Sequence, residues 1–445
     1  MNRSLTIVVV LLALVLGVGP MALGRVGQNQ IERQLTYATD AYPGIQIIEE
    51  SNEAGWFSGF VKHRIVFTDA VMASAIQDVV GQDQAGGPPA LVISTRLDYG
   101  PIAFSSLGRE GGSLVPAMSR SISTFEVDLG NGEPISVPGR MLSSVSFDGT
   151  NRAQFVVDPG SYSFPDEDAE FNWEGVDISI EMGRDADVFT AEGVIKPFGL
   201  VSPEGGVSVS AIEFETEQNK TTYEGLWVGH TAYSMDLMQI ADPPSNNVSI
   251  QGLTAGGRSD LEGNFINGSG NFNVADIDGP GFYDVAVDVS FLIESWDAEA
   301  LQAITRIVKE MQSSADPVAA QEQYVPEILN RAQQLANGGA RLAFDKIRVE
   351  LPQGDVNATI DLRFDKNGSG QAFSPEALLM ALHADVTLEV SEALVDTMIS
   401  GQGGNPMFGM ALPYFERDGA HYRLEAQFEN GMLTVNGTPI PLPIP

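Results

Sequence analysis

Histidines and carboxylates are the side chains of this chain with the most potential for chemistry. The four histidines, His63, His230, His383 and His421, lie far apart in the sequence, and this scatter does not predict a histidine metal centre. The 59 Asp and Glu residues leave open a carboxylate pair able to hydrolyse a glycosidic bond. No nucleophile elbow, phosphate-binding loop or zinc-protease signature occurs. We therefore expect a non-enzymatic protein with no catalytic residue and no cofactor; an exported hydrolase is the alternative.

One stretch has the ligand spacing of a calcium-binding loop. In DKNGSGQAFSPE, residues 365–376, the first, third, fifth and twelfth positions are Asp365, Asn367, Ser369 and Glu376, whose oxygen atoms could bind Ca²⁺. The residues before this loop alternate between apolar and polar, which indicates a strand where a calcium loop of this type has a helix. We therefore expect an ordinary turn and no metal, with calcium binding as the alternative.

Charge and composition limit the partners of the chain. Its formal net charge is −35, with 59 acidic and 24 basic residues, so nucleic acid and anionic headgroups are repelled. Hydrophobic residues make up 43% of the chain, which is enough for a folded core. The absence of cysteine removes disulfides, thiolate metal sites and cysteine nucleophiles. The oligomeric state is open, and a homodimer is compatible with the sequence.

The N-terminal segment predicts a location outside the cytoplasm. Residues 4–24 carry no charge, and at about 1.5 Å per residue they span roughly 31 Å, close to the thickness of a bilayer core. Arg3 lies on the short N-terminal side, which the positive-inside rule keeps in the cytoplasm. We expect a single-pass anchor in a bacterial inner membrane and a body in the periplasm. A cleaved signal peptide is the alternative.

After this segment the hydrophobic period is mainly two, which predicts β-strands with one apolar face. The clearest run places Tyr283, Val285, Val287, Val289, Phe291 and Ile293 on one face. Residues 297–339 instead have a helical period, with Asp297 as N-cap. We predict a mainly β protein: a transmembrane helix, then large antiparallel sheets, stacked or curved and elongated, packed with a helical pair. The predicted divisions are 1–24 (anchor), 25–41 (juxtamembrane helix), 42–294 (β-rich domain), 295–340 (helical hairpin) and 341–445 (β-rich C-terminal portion with two short helices).

Several short motifs occur in a recognisable order. Gly55, Trp56 and Phe57 begin the first long strand, and the sequence Asp98, Tyr99, Gly100, Pro101 ends a later one. Asn430 and Gly431 form a two-residue turn in the terminal hairpin. With the hydrophobic N-terminus, this order resembles the YdgA-like family of bacterial inner-membrane proteins of unknown function. The resemblance implies a periplasmic body on one membrane anchor, and it implies no catalytic residue.

The predicted sheets leave two functional alternatives open. One-sided apolar strands need a second layer, and a helical pair can cover only part of their area. Either the sheets cover one another completely, or a curved sheet leaves an apolar groove for a lipid or a hydrophobic peptide. We expect a protein that binds or scaffolds something in the cell envelope, either an apolar ligand such as a lipid or a protein partner.

Overall fold

The computed structural model describes most of the chain beyond its N-terminal segment. The described residues are 45–54, 58–68, 90–99, 117, 119–128, 134–164, 168–184, 186–241, 247–312, 317–366, 375–400 and 412–440. They divide into two compact units, one of residues 1–217 and 238–244 and the other of residues 218–237 and 245–445. The divisions predicted from the sequence stay a prediction. No helix among the described residues is long and apolar enough to cross a membrane, and residues 4–24 lie outside them.

The described chain is mainly β, as the sequence predicts. The strands are β1 (Ile45–Ala54), β2 (Ser58–Phe67), β3 (Ala90–Tyr99), β4 (Ser119–Asp128), β5 (Ile135–Val145), β6 (Asn151–Val157), β7 (Gly160–Phe164), β8 (Ala169–Trp173), β9 (Val176–Met182), β10 (Val188–Ile195), β11 (Phe198–Ser202), β12 (Gly205–Val209), β13 (Ile212–Lys220), β14 (Trp227–Ala241), β15 (Val248–Glu262), β16 (Phe265–Gly279), β17 (Phe282–Asp297), β18 (Arg341–Leu351), β19 (Gly354–Phe364), β20 (Leu382–Ser391), β21 (Glu416–Asp418), β22 (His421–Glu429), β23 (Met432–Val435) and β24 (Thr438–Ile440). The helices are α1 (Ala298–Gln312), α2 (Pro317–Asn337), α3 (Pro375–Ala381) and α4 (Glu392–Ser400), with a 3-10 turn at Leu412–Tyr414.

The first unit contains a sealed apolar core. Its strands pair antiparallel in the order β1–β2–β3–β4–β5–β6–β9–β10, and a second series runs β7–β8–β11–β12–β14. Alternate residues of the first series are withdrawn from solvent, among them Ile65, Phe155 and Ile178, each at most 4% exposed. Phe155 meets Phe125 edge to face, with ring centroids 5.5 Å apart. The central apolar residues of these strands are therefore withdrawn from solvent, with partly buried residues such as Val127 and Phe189 packed around them.

The second unit is one long antiparallel series of strands. Its order is β15–β16–β17–β18–β19–β20–β22–β23–β24, and β21 adds to β22. The predicted terminal hairpin is confirmed, because Phe428 pairs with Leu433 and Ala426 with Val435. Asn430 and Gly431 both have positive φ, of 51° and 75°, as a two-residue hairpin turn with a left-handed backbone requires.

The helices of the second unit lie where the sequence places them. Asp297 caps α1, because its Oδ1 accepts the Ala300 N–H at 2.8 Å. Gly339, with φ of 75°, follows the end of α2 in a conformation that favours glycine. Helices α1 and α2 pack on each other and contact β17, and α2 also contacts β19. Since α1 starts directly after the last residue of β17, these two helices lie at that end of the strands.

One detail of the predicted pattern is wrong. The sequence places Tyr283 on the same face as Val285, but Asp284 has a positive φ of 52° and the register between β16 and β17 shifts beside it. Such a bulge interrupts the alternation of side chains. Tyr283 is therefore not part of the strict run, which begins at Val285.

Candidate functional site

The two faces of the second unit's sheet differ in chemistry. Cross-strand partners point to the same face, so the observed register assigns every side chain to a side. Val287 pairs with Val274 and Val349, whereas its neighbour Asp288 pairs with Asn273 and Arg348. We call the side that carries Val287 the apolar face and the side that carries Asp288 the polar face.

The apolar face carries one charged side chain among the paired residues of β16 to β23, that of Arg417 in the short strand β21, which pairs with Tyr422 and donates to Glu392 of α4. The other seven of these strands continue the face, with register shifts in β16, β17 and β18. Its residues are Ile266, Gly268, Gly270, Phe272, Val274, Ile277, Val285, Val287, Val289, Phe291, Ile293, Leu342, Phe344, Ile347, Val349, Val356, Ala358, Ile360, Leu362, Phe364, Leu382, Ala384, Val386, Leu388, Val390, Tyr422, Leu424, Ala426, Phe428, Leu433 and Val435.

Most of this face is only partly covered. Phe272 is 40% exposed and Phe291 is 37% exposed. Val289, Ile347 and Ile360, which lie in the middle strands, are half-buried. In the first unit's core, by contrast, central residues such as Ile65, Phe155 and Ile178 are below a tenth exposed. Among the described residues, this apolar face has a second layer only in part, and extended exposed apolar patches of this kind are found at interaction sites.

One end of the apolar face is covered by α4. Val395 is fully buried, and Leu394 and Val395 form a cluster with Val390 and the partly buried Val356 and Tyr422. The 3-10 turn adds Leu412 and Phe415 to the same cluster, which also includes Leu351 and Leu388. The cover therefore lies over β18 to β22. The cluster contains no residue of β16 or β17.

Two glycines shape the surface of the apolar face on β16. A Cβ added to Gly270 would lie 2.5 Å from the Phe291 ring, and one added to Gly279 would lie 2.3 Å from the Phe282 ring. Each ring therefore lies across a glycine of the neighbouring strand. Because neither glycine has a side chain, the two aromatic rings lie close to the backbone and leave a low, open surface beside them.

The polar face is held together by ion pairs that cross the strands. The Arg341 guanidinium donates to Glu294 at 2.8 Å and to Asp361 at 2.9 Å, and these contacts raise the pKa of Arg341 further above its usual range. Arg363 lies 3.5 Å from Asp385, and Lys346 pairs with Asp288. Such partly exposed pairs stabilise the fold little, but they keep this face hydrated. The sheet therefore has one polar, solvated face and one apolar face.

A group of three aspartates lies at the β16–β17 hairpin. Asp276, Asp278 and Asp284 bring carboxylate oxygens within 4.8 Å of one another. Burial and the charges of the other two carboxylates raise the pKa of Asp276. The Asp284 N–H donates to Asp278 at 2.9 Å and Gln251 donates to Asp276 at 3.1 Å, so part of the group supports the turn. The three aspartates concentrate negative charge beside the hairpin tip.

The residues of the predicted calcium loop are described in part. Asp365 follows β19 directly, is exposed, and places its Oδ2 3.0 Å from the His383 Nε2. The segment before the loop is a strand, as the sequence predicts. Asn367 and Ser369 lie outside the described residues. Glu376 lies on α3. The prediction of an ordinary turn without metal, and its alternative of calcium binding, are both untested.

The motif residues do not come together as a described site. Asp98 is buried in β3, 5% exposed, with Arg96 3.4 Å away, and Tyr99 is the last residue of that strand. Gly55, Trp56, Phe57, Gly100 and Pro101 lie outside the described residues. Asn430 and Gly431 serve the terminal hairpin turn in the other unit. Of the histidines, His63 is buried in β2 of the first unit, whereas His230 in β14, His383 in β20 and His421 in β22 lie in the second unit.

Sequence reasoning identified the apolar run of β17 but not the full face. The signal was present, because β19, β20 and β22 show the same alternation as β17. What alternation cannot reveal is which apolar residues receive a second layer, since covered and uncovered strands have the same pattern.

The comparisons with known proteins give a family but no activity. A model of a bacterial protein family of unknown function, DUF945, matches residues 1–443. No curated protein matches the chain, and no solved structure does. The match covers nearly the whole sequence, so the chain belongs to the DUF945 family of bacterial proteins of unknown function.

Proposed function

We propose that this protein is an envelope protein that binds lipid acyl chains on the apolar face of its second unit. In this proposal residues 4–24 anchor the chain in the inner membrane and the body lies in the periplasm. The role is one of binding, without catalysis. The motif resemblance to the YdgA-like family supports the location, because that family consists of membrane-anchored periplasmic proteins.

The observation that carries the proposal is the contrast between the two faces of one sheet. The polar face is crossed by ion pairs, whereas the apolar face carries only the charge of Arg417, at the edge strand β21, and stays partly exposed at Phe272 and Phe291. Acyl chains have no polar groups to satisfy, so an apolar face can hold them without unpaired hydrogen-bond groups. A protein partner would present some polar groups, and this face offers almost none for them.

A matched pair of substitutions on β17 tests the proposal. Val289→Asp places a carboxylate on the apolar face beside Phe272 and Ile347, and Ser290→Asp places the same group one residue away on the polar face beside Lys346. We expect the full-length wild type and Ser290→Asp to co-purify with lipid, measured by extraction and mass spectrometry. Val289→Asp should fold but lose most of this lipid, because burying a carboxylate against hydrocarbon is costly.

Two results would contradict the proposal. The first is the absence of lipid from the wild type after purification in mild detergent and renewed incubation with vesicles. The second is a Val289→Asp variant that retains the wild-type amount of lipid with unchanged stability. Unfolding of Val289→Asp alone, with Ser290→Asp intact, would show instead that the face is a sealed core.

A further inference from the structure

The β16–β17 hairpin ends in exposed aromatic residues. Pairing between β17 and β18 begins at Ala286, so the β17 residues before it lie beyond the last β18 partner, whereas β15 follows β16 as far as Asp278. At the tip, Phe282 is 42% exposed and Tyr283 is 57% exposed. Neither ring belongs to a core cluster of the described residues.

The tip is continuous with the apolar face. Phe282 pairs with Gly279, and the next residue of β17 on this side is Val285, which pairs with Ile277. Phe272 and Val289 continue the same surface along the hairpin. An unbroken path of apolar side chains therefore leads from the exposed tip to the middle strands.

Helices and a 3-10 turn lie at the other strand ends of the second unit. Helices α1 and α2 lie at the opposite end, where β17 finishes. At the end that includes the tip, α4 and the 3-10 turn cover β18 to β22 through Val395 and Leu412. The cluster that they form contains no residue of β16 or β17. The hairpin tip is thus an approach to the apolar face that this cluster leaves open, and the side chain of Val274, further along β16, is itself buried at 2% exposure.

The negative charge at the hairpin tip limits the kind of lipid surface that the tip can contact. Asp276, Asp278 and Asp284 lie directly behind Phe282 and Tyr283, and their oxygens are within 4.8 Å of one another. Three carboxylates so close repel phosphate headgroups of anionic lipids and attract ammonium groups. Exposed Phe and Tyr rings are suited to the headgroup region of a bilayer, where one side is apolar and the other wet.

Resting on the proposed function, we infer that this hairpin tip is the entry by which acyl chains reach the apolar face, and that it contacts bilayers rich in zwitterionic, ammonium-bearing lipids. The aromatic rings enter the headgroup region, and the aspartates face the ammonium groups there. The apolar path then receives the acyl chain. The apolar face determines how much lipid is bound at equilibrium, and the tip determines how fast that lipid is loaded.

The test measures rate and capacity separately. The full-length chain, stripped of lipid and held in a nonionic amphipol, is mixed with vesicles of phosphatidylcholine and pyrene-labelled phosphatidylethanolamine. The double variant Phe282→Ser/Tyr283→Ser should load about tenfold more slowly than wild type, with the same final amount of lipid. Phe147→Ser, which removes a similarly exposed aromatic ring (59%) in the first unit, should load at the wild-type rate.

A charge variant tests the choice of surface independently of folding at the tip. Asp284→Asn keeps a residue that tolerates the left-handed backbone but removes one charge. It should weaken the preference for phosphatidylethanolamine over phosphatidylglycerol vesicles, and the wild-type preference should shrink between about 0.05 and 0.5 M salt.

The outcomes separate the two proposals. If the wild type takes up no lipid, the proposed function fails. If the wild type loads but the double variant loads equally fast, the tip is not the entry. Equal losses of rate and final amount would make the tip part of the binding face and would also overturn the inference. Faster loading from phosphatidylglycerol vesicles would overturn the choice of surface.

Discussion

The same substitution in the two units should have very different costs. Phe155 and Phe291 both lie on central strands with one aromatic neighbour, but Phe155 is 4% exposed and Phe291 is 37% exposed. Phe155→Ala removes a sealed core ring and leaves a cavity, which costs about 4 kcal/mol. Phe291→Ala removes a ring that is about two-thirds covered, and solvent or lipid can fill the space. We expect a cost of about 1.5 kcal/mol.

Hydrogen exchange is the suitable assay because the chain has two units and global unfolding need not be two-state. Peptides from β6 and β9 report opening of the first unit, and peptides from β16 and β17 report opening of the second. The exchange measurement should be made on lipid-free full-length protein and repeated after loading with lipid. Bound acyl chains should raise protection in the second unit of the wild type, since a ligand stabilises the state that binds it.

One result would refute the reasoning about the apolar face. If Phe291→Ala costs as much as Phe155→Ala in the lipid-free protein, the face has a complete second layer. The ratio of the two costs is the informative quantity, because errors common to both measurements cancel. If Phe291→Ala costs little and its cost is the same with and without lipid, the face is exposed but does not bind lipid.

Much of the fold could be predicted because the strands alternate regularly. Ile178 and Ile180 are buried on the face that the period of two assigns to them, and Asp297 caps the helix that begins beside it. These features depend on residues close together in sequence. The bulge at Asp284 was missed because it arises from a register shift between strands, and no local pattern marks it.

The candidate site was harder to predict for a physical reason. Ile65 in β2 and Ile360 in β19 occupy equivalent places in alternating runs, yet Ile65 is 4% exposed and Ile360 is half-buried. The difference lies in the layer above each strand, which comes from distant parts of the chain. The cover at Val395 is the exception, because α4 directly follows β20 and packs on its last residues.

Two further predictions concern location and pH. Alkaline phosphatase fused after residue 40 should be active, and the full chain should stay with membranes after carbonate washing; an inactive fusion would contradict the proposed topology. For pH, burial lowers the pKa of His63 in β2, against the opposing charge of Glu49. With the folded-state pKa below the unfolded value of about 6.5, the unfolded chain binds more protons in the interval between the two, so stability rises with pH there. Stability should therefore be full above this interval and decline as pH falls below about 6.5. His63→Gln cannot be protonated, so its melting temperature should fall less between pH 7.5 and 5.5 than that of wild type, as measured by circular dichroism; equal falls would mean that acid acts elsewhere.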